Sequence, residues 1–84
     1  MSQNNELIEQ IERIHTTPLG VERIRRNLRL DDEVDVVAWC KEKCLSSQAQ
    51  INRQGKNWYV EVENSRITIN AYSYTIITAH LKKA

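Results

Sequence analysis

A chain of 84 residues has room for one domain with a single modest core. At this size folding removes only roughly 60% of the unfolded chain's surface from water, so a deep cleft between domains is excluded. Its 12 basic and 11 acidic residues leave a net charge of +1, which excludes a polycation that coats nucleic acid indiscriminately.

The charge is unevenly spread. Residues 1–44 carry 7 basic and 9 acidic groups, or −2, and residues 45–84 carry 5 and 2, or +3, so the C-terminal half is the more tolerant of anions. The start, Met1 to Glu6, has neither the basic residues nor the apolar run of a secretion signal. No stretch approaches the roughly 18 apolar residues of a membrane helix, so a cytoplasmic protein without membrane attachment is expected.

From Glu6 to Ile14, the residues Leu7, Ile8, Ile11 and Ile14 recur at helical spacing between Glu6, Glu9, Glu12 and Arg13, which predicts a short amphipathic helix. His15-Thr16-Thr17-Pro18 stops it, because the residue before a proline avoids helical dihedrals. Thr17 is placed to cap a second helix, about Pro18 to Asn27, with Pro18 in its first position. Its expected apolar stripe is Leu19, Val21, Ile24 and Leu28, leaving Arg23, Arg25, Arg26 and Arg29 on the other faces. Asp32 with Asp35 resembles a weak capping box. Val34, Val37, Ala38, Cys40 and Cys44 are the expected buried face of a third helix ending near Leu45.

Cys40 and Cys44, four apart, fall on one helix face rather than in a Cys-X-X-Cys redox motif. Parallel side-chain vectors there would strain a disulfide, so reduced, buried thiols are expected. With His15 and His80 as the only imidazoles and no zinc spacing, neither a metal nor a cofactor is implied.

From Ala49 the period changes to two. Trp58, Val60 and Val62 alternate with Tyr59, Glu61 and Glu63 after the turn Gln54-Gly55-Lys56-Asn57, the pattern of a hairpin. Glu63-Asn64-Ser65 turns into a third strand with Ile67, Ile69 and Ala71 on one face and Thr68, Asn70 and Tyr72 on the other. A fourth strand is expected from about Tyr74 to Leu81. The fold class is therefore α+β: two to three N-terminal helices, about residues 6–45, packed on one face of a four-stranded antiparallel meander over about residues 49–81. Ile67, Ile69, Trp58, Val60, Val62 and Ile77 are expected beneath the helices, with Thr68, Asn70 and Thr78 facing outward, because a slip of one residue would bury Glu61 and Glu63.

Three stretches taken together, His15-Thr-Thr-Pro-Leu-Gly-Val-Glu-Arg-Ile24, Gly55-Lys-Asn-Trp-Tyr-Val60 and Asn70-Ala-Tyr-Ser-Tyr-Thr-Ile-Ile-Thr-Ala-His80, resemble a family of small bacterial proteins known as domain of unknown function 3781. The resemblance spans nearly the whole chain and implies membership without a known activity. A looser resemblance, in Thr78-Ala79-His80 and in the order of helices before sheet, is to small metal-independent ribonuclease toxins of the barnase, colicin and RelE type. It implies a His, Thr or Tyr on the late strands as site residues.

His80 is the leading candidate for chemistry, since an imidazole exchanges a proton near neutral pH. Strict alternation would put it on one face with Thr78, Ile76 and Tyr74; a surface histidine at a strand end explains the same letter. Tyr72 and Tyr74 are suited to stack on a base or orient a phosphate, or simply to half-bury in a sheet. His15 and Thr17 sit at a helix start, where free N–H groups favour an anion, while Thr17 serving only as a cap accounts for it equally. If the first loop folded over the sheet near His80, the two histidines could divide acid and base roles in RNA cleavage. Arg26 and its neighbouring arginines offer phosphate donors, or a solvated helix face.

Two functions of different class follow. One is a binding module for an RNA or protein partner, using the polar sheet face or a strand edge. The other is a metal-independent, toxin-like RNA-cleaving enzyme with His80 as general acid or base, aided by Thr78 and Tyr74. A small inhibitor or regulator of a larger system is a third. The absence of a paired carboxylate, nucleophile motif or glycine-rich phosphate loop weighs against the enzyme.

Overall fold

The computed structural model describes residues 4–82; Met1 to Gln3, with which the expectation about a secretion signal begins, and Lys83 and Ala84 lie outside the described residues. Three α-helices, α1 (Asn4–Glu9), α2 (Pro18–Leu28) and α3 (Val36–Cys44), precede four strands, β1 (Gln50–Gln54), β2 (Asn57–Val62), β3 (Ser65–Asn70) and β4 (Ile76–Leu81). The strands lie in chain order as an antiparallel meander. The arrangement is α+β with the helices N-terminal. No helix among the described residues is long and apolar enough to cross a membrane.

The first segment is not one helix to Ile14. α1 ends at Glu9, a 3-10 turn covers Ile11–Arg13, and Ile14 is extended, with φ −64° and ψ 132°. The cause is tertiary: the His15 N–H donates to Tyr74 O at 3.1 Å and the Ile76 N–H donates to His15 O at 2.8 Å, so the chain leaves the helix to form a parallel bridge opposite Thr75. Leu7 and Ile14 are buried on either side of this break.

Helix α2 begins as the letters imply. Thr17 Oγ1 accepts from the Gly20 N–H at 3.0 Å and Pro18 is the first helical residue, where its missing donor costs nothing. The helix closes on Arg29 in the left-handed region at φ 58°. Ile24 and Leu28 enter the core, but Leu19 is 74% exposed, so the expected stripe loses its first member. Arg25 is not free: its Nη1 donates to Asp31 O at 2.6 Å and to Val34 O at 2.8 Å, tying the α2–α3 loop to the helix.

The cap of α3 is Asp35, whose Oδ1 accepts from the Ala38 N–H at 3.1 Å; Asp32 lies in the preceding loop. That shift rotates the buried face to Val36, Cys40 and Cys44, four residues apart, while Val34 precedes the helix and Ala38 is exposed. Both cysteines are free thiols. Burial pushes each up to about 12, with Cys44 adding to the effect at Cys40, so they persist as protonated, apolar-like side chains.

The expected inward face holds in β2 and β3: Trp58, Val60, Val62, Ile67 and Ile69 are buried. They meet across the strands as Trp58 with Ile69 and Val60 with Ile67, and pack with Leu7, Ile14, Ile24, Leu28, Val36, Cys40 and Cys44, apart from Val62 at the rim. Strand β4 departs from strict alternation. Ile76 pairs with Ile69 and Thr78 with Thr68, leaving Ile77 as the extra residue of a β-bulge. Ile76 therefore occupies the core place expected for Ile77, which is 44% exposed. A bulge inserts one residue and inverts the alternation beyond it.

Candidate functional site

All core residues of the sheet come from the helix-covered face. On the opposite face the pairings fix two rows. Gln50, Glu61, Arg66 and His80 form one, and Asn52, Tyr59, Thr68 and Thr78 the other. Arg66 holds its guanidinium 5.1 Å from the centroid of the Tyr59 ring, a cation–π contact. Its Nε lies 3.7 Å from Glu61 Oε2, while Lys82 Nζ donates to Glu61 Oε1 at 3.3 Å. Arg66 Nε is buried without a hydrogen-bond acceptor. Glu61, Arg66, His80, Leu81 and Lys82 line an open depression of about 420 Å³. Two cations against one carboxylate, with an imidazole beside them, suit a phosphate or carboxylate.

His80 and Thr78 thus share the outer face, as alternation implies, but Ile76 and Tyr74 do not join them. Tyr74 has φ 62° and is buried, its ring 5.1 Å from that of Trp58 and covered by the Arg13 guanidinium at 4.5 Å. It is a core aromatic. Tyr72 stays on the β3–β4 turn, exposed, with Arg53 5.8 Å from its ring centroid. Thr17 spends its hydroxyl oxygen on the α2 cap. Arg26 sits on α2 beside a second depression of about 350 Å³, lined also by Glu22, Arg25, Arg29, Leu30 and Asp32, where the carboxylates dilute the arginine field.

The two histidines are not brought together. His15 lies opposite Thr75 and His80 opposite Arg66. Ile76 to His80 spans the three β3 steps from Ile69 to Arg66, and one further step reaches Thr75, so at ~3.3 Å each the two sites stand about 13 Å apart. No common phosphate is within reach of both. His15 instead has a local partner: its Nε2 is 3.2 Å from Thr75 Oγ1, and its Nδ1 is 2.8 Å from Arg13 O.

Tyr59, Arg66 and Lys82 escape a reading that singles out the tyrosines and histidine of the last strands. The signal was available in part, because Tyr59 alternates with Trp58 and Val60 and so had to face outward. Placing Arg66 beside it needs the register of two strands at once. Among the described residues no three or more His, Cys, Asp or Glu side chains gather as a metal site.

With this geometry in view, the chain can be placed by kinship. It matches the family described as "Protein of unknown function (DUF3781)" over residues 8–80, and it belongs to that family. No curated protein and no solved structure matches it, which leaves the likeness to ribonuclease toxins unsupported.

Proposed function

We propose that the chain is a small binding module whose open sheet face takes a single-stranded RNA. The observation that carries this reading is the grouping of Tyr59, Arg66, His80 and Lys82 on the one sheet face that no helix covers. Single-stranded nucleic acids bind where an aromatic platform lies beside backbone-tracking cations, and each stacked base contributes roughly 1–3 kcal/mol. Tyr59, already stacked with the Arg66 guanidinium, supplies the platform. Arg66, Lys82 and His80 supply donors for phosphate oxygens, and Thr78 and Asn52 add hydrogen-bonding groups in the neighbouring row, where Thr68, expected to face solvent, is buried. A catalytic role for His80 lacks a partner, since the second imidazole is engaged at the far end of β4.

The test is fluorescence anisotropy of a labelled single-stranded RNA panel at low salt. Wild-type chain is expected to bind, with Arg66→Ala and Tyr59→Ala each weakening binding at least fivefold while leaving the circular dichroism spectrum intact. Intact RNA with no anisotropy change at high micromolar protein overturns the reading in favour of a protein partner.

A further inference from the structure

We propose that Thr75 carries a nucleophilic hydroxyl, activated by His15, that accepts an acyl group from activated carboxylic esters. This site lies at the opposite end of β4 from the RNA-binding face and is independent of it.

The hydrogen-bond directions follow from the atoms. Arg13 O can only accept, so the 2.8 Å contact requires a proton on His15 Nδ1. In the neutral ring Nε2 then carries the lone pair, and Thr75 Oγ1 at 3.2 Å donates its proton to it. Ser73 Oγ lies 2.8 Å from Thr75 Oγ1 and 3.3 Å from Asn70 Oδ1, so its single proton serves one or the other. A hydroxyl, a base within hydrogen-bond reach, and a third group that orients the base form the arrangement that activates a weak nucleophile. The backbone locks it: His15 is bridged to the chain on both sides of Thr75, through Tyr74 O and the Ile76 N–H. Tyr74, immediately before Thr75, is held at φ 62°, a conformation a bulky residue adopts only when its surroundings impose it.

The donors around the turn identify where an oxyanion would be received. The N–H groups of Asn70, Ala71, Tyr74 and Ile76 bond to backbone carbonyls at 2.6–2.9 Å, and those of Tyr72 and Ser73 to Asn70 Oδ1 at 2.8 and 2.9 Å. Only the Thr75 N–H is weakly held, at 3.4 Å from Ser73 Oγ. It is the donor free to turn to a carbonyl oxygen attacked by its own side chain.

In the step, Thr75 Oγ1 bonds to the ester carbonyl carbon as its proton passes to His15 Nε2. The bond to the leaving alkoxide or phenoxide breaks, the leaving oxygen takes the proton from His15, and an ester of Thr75 remains. Water activated by the same Nε2 releases the acid and restores the hydroxyl. With a single oxyanion donor the reaction is slow, because each such donor contributes on the order of 10² to 10³ in rate.

The experiment uses the full chain with p-nitrophenyl acetate, quenched in acid, with phenolate release followed and acetylation mapped by tandem mass spectrometry. Acetyl on Thr75, or phenolate turnover that Thr75→Ala abolishes, is expected at a rate at least tenfold above that of the urea-unfolded chain, where His15 is not aligned. His15→Ala should lower it at least tenfold and Thr75→Ser should retain it. Acetyl confined to lysines, a Thr75 rate equal to that of the unfolded chain, or a rate unchanged in folded His15→Ala overturns the proposal. The native-to-unfolded comparison decides even if His15→Ala does not fold.

Discussion

Gly20 shows how one missing side chain holds two elements together. A Cβ there would overlap Thr16 Oγ1, and that hydroxyl donates to Ile76 O at 3.0 Å, so α2 approaches the start of β4 through a contact that only glycine leaves room for. Gly20→Ala is expected to destabilise the fold by about 1–3 kcal/mol, the usual range for overpacking. Combining it with Thr16→Ala should recover part of the loss in urea unfolding, because the two residues are in contact and couple; strictly additive effects would show that the overlap is not the cause. Arg29 gives the opposite case. It is an exposed cap at φ 58°, and Arg29→Gly is expected to raise stability by up to about 1 kcal/mol, since glycine adopts this conformation without the Cβ penalty. Gly20 could not be read from the sequence, where it is merely a poor helix former near a proline. The Thr17 cap could, because capping depends on residues one turn apart.

At the scale of elements, local rules carried as far as local causes reached. The order of helices before strands, the start of α2 and the faces of β2 and β3 were legible because each rests on an unbroken period. Three readings failed for tertiary reasons: the first helix breaks where His15 pairs with β4, α3 starts from Asp35 and so buries Val36 instead of Ala38, and the bulge exposes Ile77. The candidate site was half legible, since Thr78 and His80 share a strand whereas Tyr59 and Arg66 meet them only through register. The α2–α3 connection depends on Arg25, and Arg25→Met, which keeps the stem and removes both donors, is expected to cost about 1–3 kcal/mol by stranding the carbonyls of Asp31 and Val34. Helix α3 also sets an alkaline limit. Cys40 and Cys44 are pushed up to about 12 in the fold, whereas an unfolded thiol ionises near ~8.5. The unfolded chain therefore loses these protons first. Stability should be unaffected by the thiols below about pH 8.5, then fall by ~1.4 kcal/mol per thiol per pH unit until the folded thiols ionise. Urea unfolding from pH 7 to 10 reads this directly, and Cys40→Ala with Cys44→Ala should flatten the decline.

For the whole molecule, net charge decides what form the proposed RNA binding would take. A net charge of +1 gives no long-range attraction, so affinity has to come from the few cations of the open face and from stacking. Arg66 and Lys82 are those cations, both within 4 Å of Glu61, which a phosphate must displace or share. A single strand loses affinity with a slope of about −0.7 in log–log salt dependence for each phosphate neutralised, so two contacts correspond to about −1.4. A polycation with six to ten contacts would be several times steeper. Titrating a labelled single-stranded RNA between low and moderate salt is expected to give this shallow slope, with Arg66→Ala and Lys82→Ala each reducing it by about 0.7. Tyr59→Ala should instead weaken binding at every salt concentration with the slope unchanged, because stacking releases no counterion. A steep slope insensitive to Arg66 and Lys82 would place the contact elsewhere, on the arginines of α2, and would remove the open sheet face from the binding reaction.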